Sequence, residues 1–292
     1  MKHPLFFCLL MMLAACSGNS PKMGERLVYL KISDGNADLY SADVFGQWEE
    51  RLTSSPGYDQ SPKWNATLNK LIYYSNDSLG NFNVLSMDLR TGTTVTLPFS
   101  DLDNYQLSPD GRFIFYTVSE GETTHIWRAD IDGSNPEQLT HHEGYNGRFS
   151  ISPNVEKMAF ISDRTGTNQL FILDLKSMEL EQISFFPLMA KYSSWSPDGK
   201  QLALCLAGDA EELQWDIWLY TTANGALERI TNTVYSEQEI AWSISGRKIA
   251  FHGTTASDGD QIYTIDLVDG SFVKITSGNF YHGEPTWVPS PK

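Results

Sequence analysis

The sequence predicts an all-β fold: a six-bladed β-propeller of four-stranded blades, with the first blade closed by the C-terminal strand. Three observations predict it. A short turn, "WSPDGK" at residues 195–200, recurs along the chain. A short apolar run follows the turn at a nearly constant interval. The chain opens and closes at different points of the repeating unit. A period of about 40–45 residues with four short strands per unit is the pattern of a propeller blade.

The turn comes first. Ser-Pro-Asp-Gly at 196–199 has the preferences of a type I turn: Ser first, Pro second to preset φ, Gly fourth. Six copies are visible: "WNATLNK" (64–70), "LSPDGR" (107–112), "ISPNVEK" (151–157), "WSPDGK" (195–200), "WSISGR" (242–247) and "WVPSPK" (287–292). The copies at 64–70 and 151–157 read as one residue longer than the others. The large residue that opens each copy, Trp64, Leu107, Ile151, Trp195, Trp242 or Trp287, is read as core between neighbouring blades.

The strands follow in order. After the first five turns come "LIYY", "FIFY", "MAFI", "LALC" and "IAFH", starting at 71, 113, 158, 202 and 249, and "LVYL" at 27 matches them with no turn before it. Each unit then holds a second run such as "HIWRAD" or "QIYTID" and a third such as "ERLT" (50–53), "EQLT" (137–140) or "ERIT" (228–231). Hairpin signals such as "DGSN", "ANG" and "VDG" separate the last two. No segment keeps a helical apolar period for long. The chain therefore opens on the second strand of a blade and ends on an inner strand, "PTWV" at 285–288. The end of the chain completes the beginning and leaves no free sheet edge at the seam.

The cadence "W-S-P-D-G-K…I-A-F…I-Y-x-x-D…L-T" resembles the TolB-type propeller repeat, a WD40-like family of bacterial envelope and enzyme-associated propellers. The resemblance covers Arg26 to Lys292, and its Ser-Pro-Asp-Gly core stands at 108–111 and 196–199. The Gly-His and Trp-Asp dipeptides of true WD40 repeats are absent at the matching places. TolB itself carries an α/β domain ahead of its propeller, for which the residues before Arg26 leave no room, so functions seated there are not implied. What the resemblance implies is a propeller that binds an envelope protein or peptide.

Residues 1–15 have signal-peptide proportions: Lys2, then the apolar core "LFFCLLMML", too short to span a bilayer. "LAAC" ending at Cys16 resembles a bacterial lipobox, which implies lipidation of Cys16 as the first mature residue. Ser17 in place of an acid resembles outer-membrane lipoproteins of Gram-negative bacteria and implies a periplasm-facing domain. Residues 16–25 read as a tether and 26–292 as the propeller. Of three cysteines only Cys205 then remains, in the strand-like "LALC", so no disulfide framework exists.

The composition, 41% hydrophobic and 12% aromatic, supplies a large core. Net charge is −15 and no Lys/Arg cluster appears, which argues against nucleic acid and against a polybasic grip on lipid. The membrane is expected to be met through the lipid anchor only.

Binding sites of a propeller concentrate where loops ring one mouth of the central channel. Counting back six and five residues from the core position gives Tyr58 and Asp59, Tyr145 and Asn146, Tyr281 and His282; one unit, a residue longer, offers Tyr235. Two residues further on stand Ser61, Asn104, Arg148, Tyr192, Glu239 and Glu284. The candidate binding surface is Tyr58, Asp59, Tyr145, Asn146, Tyr235, Glu237, Tyr281, His282 and Glu284, since tyrosine among hydrogen-bonding groups is a recognition composition. No catalytic residue is assigned: the chain has no Gly-x-Ser-x-Gly elbow and no metal-ligand spacing such as HExxH. No metal and no cofactor are expected. The expected function is a protein- or peptide-binding or scaffold module of the cell envelope; the alternative is a carbohydrate-active or small-ligand propeller using the same mouth.

Overall fold

Six four-stranded antiparallel sheets are arranged around a central channel in the computed structural model, which describes residues 24–290 except 77–79, 103, 186 and 208–213. Cys16, the signal segment and nearly all of the tether lie outside the described residues. Blade 1 contains β1 (Glu25–Ser33), β2 (Asn36–Asp43) and β3 (Glu49–Arg51). Blade 2 is β4 (Asp59–Asn65), β5 (Lys70–Asn76), β6 (Phe82–Met87) and β7 (Thr94–Ser100). Blade 3 is β8 (Tyr105–Leu107), β9 (Phe113–Glu120), β10 (Thr123–Asp130) and β11 (Glu137–Gln138). Blade 4 is β12 (Asn146–Ile151), β13 (Lys157–Ser162), β14 (Gln169–Asp174) and β15 (Leu180–Gln182). Blade 5 is β16 (Met189–Trp195), β17 (Gln201–Ala207), β18 (Trp215–Thr221) and β19 (Ala226–Arg229). Blade 6 is β20 (Ser236–Trp242), β21 (Lys248–Thr255), β22 (Gly259–Asp266) and β23 (Phe272–Lys274). The last strand, β24 (Tyr281–Pro289), returns to blade 1 and pairs with β1, setting Trp287 opposite Leu27 and Val288 opposite Arg26. The predicted seam is therefore the one observed.

The second strand of each blade is buried on both faces, which is why it reads as a continuous apolar run rather than an alternating one. In β17, Leu202, Leu204 and Leu206 face blade 4, while Ala203 and Cys205 face blade 6. In β1, Leu27 and Tyr29 face blade 6 and Val28 faces blade 2. Six apolar clusters result, one at each blade-to-blade interface. The Trp of the turn motif joins them and adds a directional bond. The indole N–H groups of Trp195, Trp242 and Trp287 donate to the carbonyls of Ser150, Ser194 and Ala241 on the preceding blade, at 3.2, 2.9 and 3.0 Å. Cys205 is fully buried and its thiol is pushed up by that burial, so it behaves as a small apolar residue.

The turn motif builds one geometry repeatedly. Gly111 N–H donates to Ser108 O and Gly199 N–H to Ser196 O; Ser108 and Ser196 hydroxyls donate to Asp110 and Asp198 and accept from the N–H five residues on. The glycine is needed because φ there is near +70°. The copies at 64–70 and 151–157 are not longer, which corrects the expectation from the sequence. Ser152 N–H reaches Lys157 O, and Asn65 pairs with Lys70, the same five-residue step as Ser108 to Phe113. Val155 occupies the left-handed position that glycine fills elsewhere, and in the 64–70 copy Asn69, one position later, is the left-handed residue.

The Leu or Ile followed by Thr or Ser that ends most units has an equally local cause. The outer strand pairs for only a few residues, then the Thr or Ser hydroxyl takes over as acceptor. Leu39, Ile126, Leu170, Ile217 and Ile262 N–H groups donate to Thr53, Thr140, Ser184, Thr231 and Thr276 hydroxyls at 2.8–2.9 Å. Blade 2, which has Pro98 at this point, instead keeps a longer outer strand.

Candidate functional site

In an up-and-down blade, the loop from each outer strand to the next inner strand must lie on the face opposite the Ser-Pro-Asp-Gly turns. These loops ring the mouth. Each inner strand then descends past a bulge before it reaches its Trp, Leu or Ile. The bulge decides which side chains enter the channel. Pairing skips after Gln60, Gly147, Gln238 and Gly283, and Ser61, Arg148, Glu239 and Glu284 take φ between 46° and 54°. Left-handed backbone at four equivalent non-glycine positions is costly, of order 1–2 kcal/mol each, and marks positions that the surrounding structure holds in place.

The cavity along the axis is about 820 Å³. Its lining includes Ser61, Tyr145, Arg148, Tyr192, Glu239 and Glu284. The acidic side is a relay between blades. The Glu239 carboxylate accepts from Glu284 N–H at 2.7 Å, and the Glu284 carboxylate accepts from Ser61 N–H at 2.6 Å. The bulge frees each of these N–H groups from its own sheet. Tyr105 Oη donates to Ser61 O at 3.1 Å and Tyr281 Oη to Glu239 at 3.5 Å. Burial and then the neighbouring Glu239 push the Glu284 carboxyl up from its ordinary value. His252 stands behind this arc: its Nε2 is 3.0 Å from Asp260 and its Nδ1 3.7 Å from Glu239. Across the channel, Arg148 lies over the Tyr192 ring at 4.4 Å and meets the Tyr145 and Tyr192 hydroxyls.

The sequence-predicted residues divide into three groups. Tyr145 and Glu284 line the cavity, Tyr281 reaches it through Glu239, and Tyr58 stands exposed on the rim. Asp59, Asn146, Glu237 and His282 are buried and fasten the mouth loops. Asp59 accepts from Ser55 Oγ at 2.9 Å; Asn146 Nδ2 donates to Thr124 O and His142 O; His282 Nδ1 donates to Asp260 O. Glu237 accepts from the Thr231 and Thr233 hydroxyls at 2.8 and 2.6 Å, and burial raises its carboxyl to about 7. Burial likewise lowers the His282 imidazole. Tyr235 does not join the mouth group: its ring packs on Tyr263 and Phe272, at 4.7 and 5.7 Å, within the blade 5–blade 6 cluster.

Four mouth loops carry exposed apolar side chains: Tyr58, Phe185, Val234 and Phe280, between 42% and 81% exposed. The last three were missed by counting back from the core position. Among the described residues no group of three or more His, Cys, Asp or Glu side chains is placed to hold a metal ion.

A sequence model described as "TolB beta propeller domain" matches residues 16–156 and 127–292. The chain belongs to this family. Among relatives of the TolB-type propeller, the "Tol-Pal system protein TolB" of Francisella tularensis is 25% identical over 94% of this chain and 66% of its own length. An uncharacterized peptidase, YuxL of Bacillus subtilis, is 25% identical over 64% of this chain and 28% of its own length. The chain thus spans between about a quarter and two thirds of these relatives. The crystal structure of TolB from Acinetobacter baumannii superposes with a TM-score of 0.76 at 21% identity, covering 91% of this chain and 67% of that one. An oligogalacturonate lyase in complex with manganese superposes with a TM-score of 0.59 at 13% identity, over 86% of this chain and 74% of that one. At these identities the structural likeness establishes the propeller fold.

Proposed function

We propose that this protein is a lipid-anchored, periplasm-facing propeller, tethered through Cys16 to the outer membrane, that binds an envelope protein or peptide at its channel mouth. The carrying observation is the set of exposed apolar tips, Tyr58, Phe185, Val234 and Phe280, raised on separate loops around a polar channel. Aromatic and aliphatic anchors around a polar centre suit a protein interface. The family membership and the TolB relatives support an envelope role.

Site-specific photo-crosslinking in intact cells tests it. A photoreactive residue at position 185, 234 or 280 is expected to trap a discrete partner, and one at Asp132 or Asp269, on the opposite face, is not. Crosslinks confined to the Asp132 and Asp269 hairpins would overturn the mouth as the site. Fatty-acid labelling that is lost in Cys16→Ala tests the anchor.

A second reading is a carbohydrate or small-ligand propeller. The cavity volume favours it, because about 820 Å³ falls in the range of roughly 300–1,000 Å³ of small-molecule sites. Under that reading a channel substitution removes binding and a rim substitution does not.

A further inference from the structure

Arg148 and Lys191 lie on adjacent inner strands, β12 and β16, and share one aromatic ring. The Arg148 guanidinium is 4.4 Å and the Lys191 ammonium 5.6 Å from the centre of Tyr192. Lys191 also sits 5.5 Å from the Trp215 ring and donates to Gln238 Oε1. Neither cation forms an ion pair with a carboxylate among the described residues, in a chain that carries 36 Asp and Glu against 21 Lys and Arg. Arg148 Nη1 is buried without a hydrogen-bond partner. Arg148 is moreover held by a left-handed backbone at the bulge. Burial, and after it the charge of Arg148, lowers the Lys191 ammonium, with Glu239 opposing. Arg148 lines the cavity and Lys191 stands behind it on the ring of the lining residue Tyr192; two mutually repelling cations so placed, one with a dry and unused donor, are a preformed anion receptor.

The surroundings select the anion. Glu239 and Glu284 form the other wall of the same cavity and would repel a ligand bearing several negative charges. This disfavours polyuronates and phosphate chains and favours a single carboxylate. Above the cations the rim offers Phe185, on the loop into β16, and Val234, on the loop into β20; both are exposed. An apolar anchor beside one acid is a property of a peptide segment.

We propose that Arg148 and Lys191 receive the side-chain carboxylate of an acidic residue in a peptide segment that enters the channel, with an apolar residue of that segment seated against Phe185 and Val234. This rests on the reading of the mouth as a protein-binding surface and names the chemistry of the partner.

The test uses the full-length chain in detergent, labelled with ¹⁵N-arginine. Three probes are titrated: acetyl-Leu-Ser-Glu-Leu-amide, its Gln counterpart, and digalacturonate. The Arg148 Nε–H resonance, assigned by its loss in Arg148→Met, is the readout. The Glu peptide is expected to move it saturably and to bind at least tenfold more tightly than the Gln peptide. Followed by isothermal titration calorimetry, Arg148→Met, or Lys191→Met should the first not fold, is expected to weaken the Glu peptide at least tenfold and leave the Gln peptide unchanged. The proposal is overturned if Glu and Gln peptides respond alike, if neither saturates, or if digalacturonate binds tighter than the Glu peptide. Crosslinking from position 185 separates this from the broader reading. A partner trapped in wild type and Arg148→Met alike keeps the mouth and discards the carboxylate site; a partner trapped in neither discards both.

Discussion

The two arcs of the channel are built from the same bulged strands and end in opposite states. On blades 6, 1 and 2, Glu239 and Glu284 each accept the N–H that the next bulge releases, so the acidic arc is closed on itself. On blades 4 and 5, Arg148 and Lys191 share an aromatic ring, and neither forms an ion pair with a carboxylate among the described residues. One arc joins blades; the other is left with binding capacity. The lesson is that equivalent positions of a repeat are not equivalent in use. A carboxylate at the bulge can serve the neighbouring backbone N–H, while a guanidinium at the same point has only donors and finds no anion to receive them.

Four changes sharpen this contrast, from the largest effect to the smallest. Trp287→Ala attacks the seam within the acidic arc. It removes a buried indole and its bond to Ala241 O, and is expected to cost about 3–5 kcal/mol in urea unfolding. A loss near zero would mean that β24 does not close the ring.

Glu237 supplies the pH dependence. Its folded carboxyl is raised to about 7 by burial. A raised acid contributes stability that is complete below its unfolded value and is lost as pH rises through the folded one. The protein should therefore lose on the order of 2–3 kcal/mol between about pH 4.5 and 7 from this group, and Glu284 shifts in the same direction. Glu237→Gln should flatten that part of the melting-temperature profile. An unchanged slope would assign the dependence to other groups.

Glu284→Ala leaves Ser61 N–H without its acceptor in a buried place and is expected to cost about 1–3 kcal/mol. Glu284→Gln, whose amide oxygen can still accept, should recover most of this. A smaller effect belongs to Val155, a β-branched residue at φ 59° in the turn of blade 4. Val155→Gly relieves a strain of roughly 1–2 kcal/mol and gives up part of the side chain's packing against the blade 3–blade 4 cluster. The two terms oppose each other, so equilibrium unfolding should show a net change of less than about 1 kcal/mol. A larger loss would mean that packing at this turn outweighs the backbone strain.

Much of this was legible in the sequence, and the limits have a physical cause. The blade count, the seam and the turn chemistry follow from the recurrence of Ser-Pro-Asp-Gly and from the mismatch between "LVYL" at the start and "PTWV" at the end. The channel was harder to read. A strand alternates with period two only while its ladder is regular. The bulge at Ser61, Arg148, Glu239 and Glu284 breaks that count. Residues five before the core position, Asp59, Asn146, Glu237 and His282, turn inward as loop fasteners, and those three before it enter the channel. Tyr235 strays because the loop of blade 6 is no longer than those carrying Tyr58, Tyr145 and Tyr281, yet its tyrosine stands one position further from the core residue than they do, and the ring turns to the aromatic cluster with Tyr263 and Phe272. Phe185, Val234 and Phe280 lie in irregular loops, where no periodicity tells an exposed apolar residue from a buried one.

The most direct test of the difference between the arcs is the paired unfolding free energy of Glu284→Ala and Arg148→Met. Removing a satisfied acceptor should destabilise. Removing an unpaired, half-buried cation should leave stability within about 1 kcal/mol of wild type or raise it, because its desolvation is relieved while only tyrosine contacts are lost. Opposite responses support one arc as a structural joint and the other as a receptor. A loss at Arg148→Met equal to that at Glu284→Ala would contradict the account and make Arg148 a structural residue.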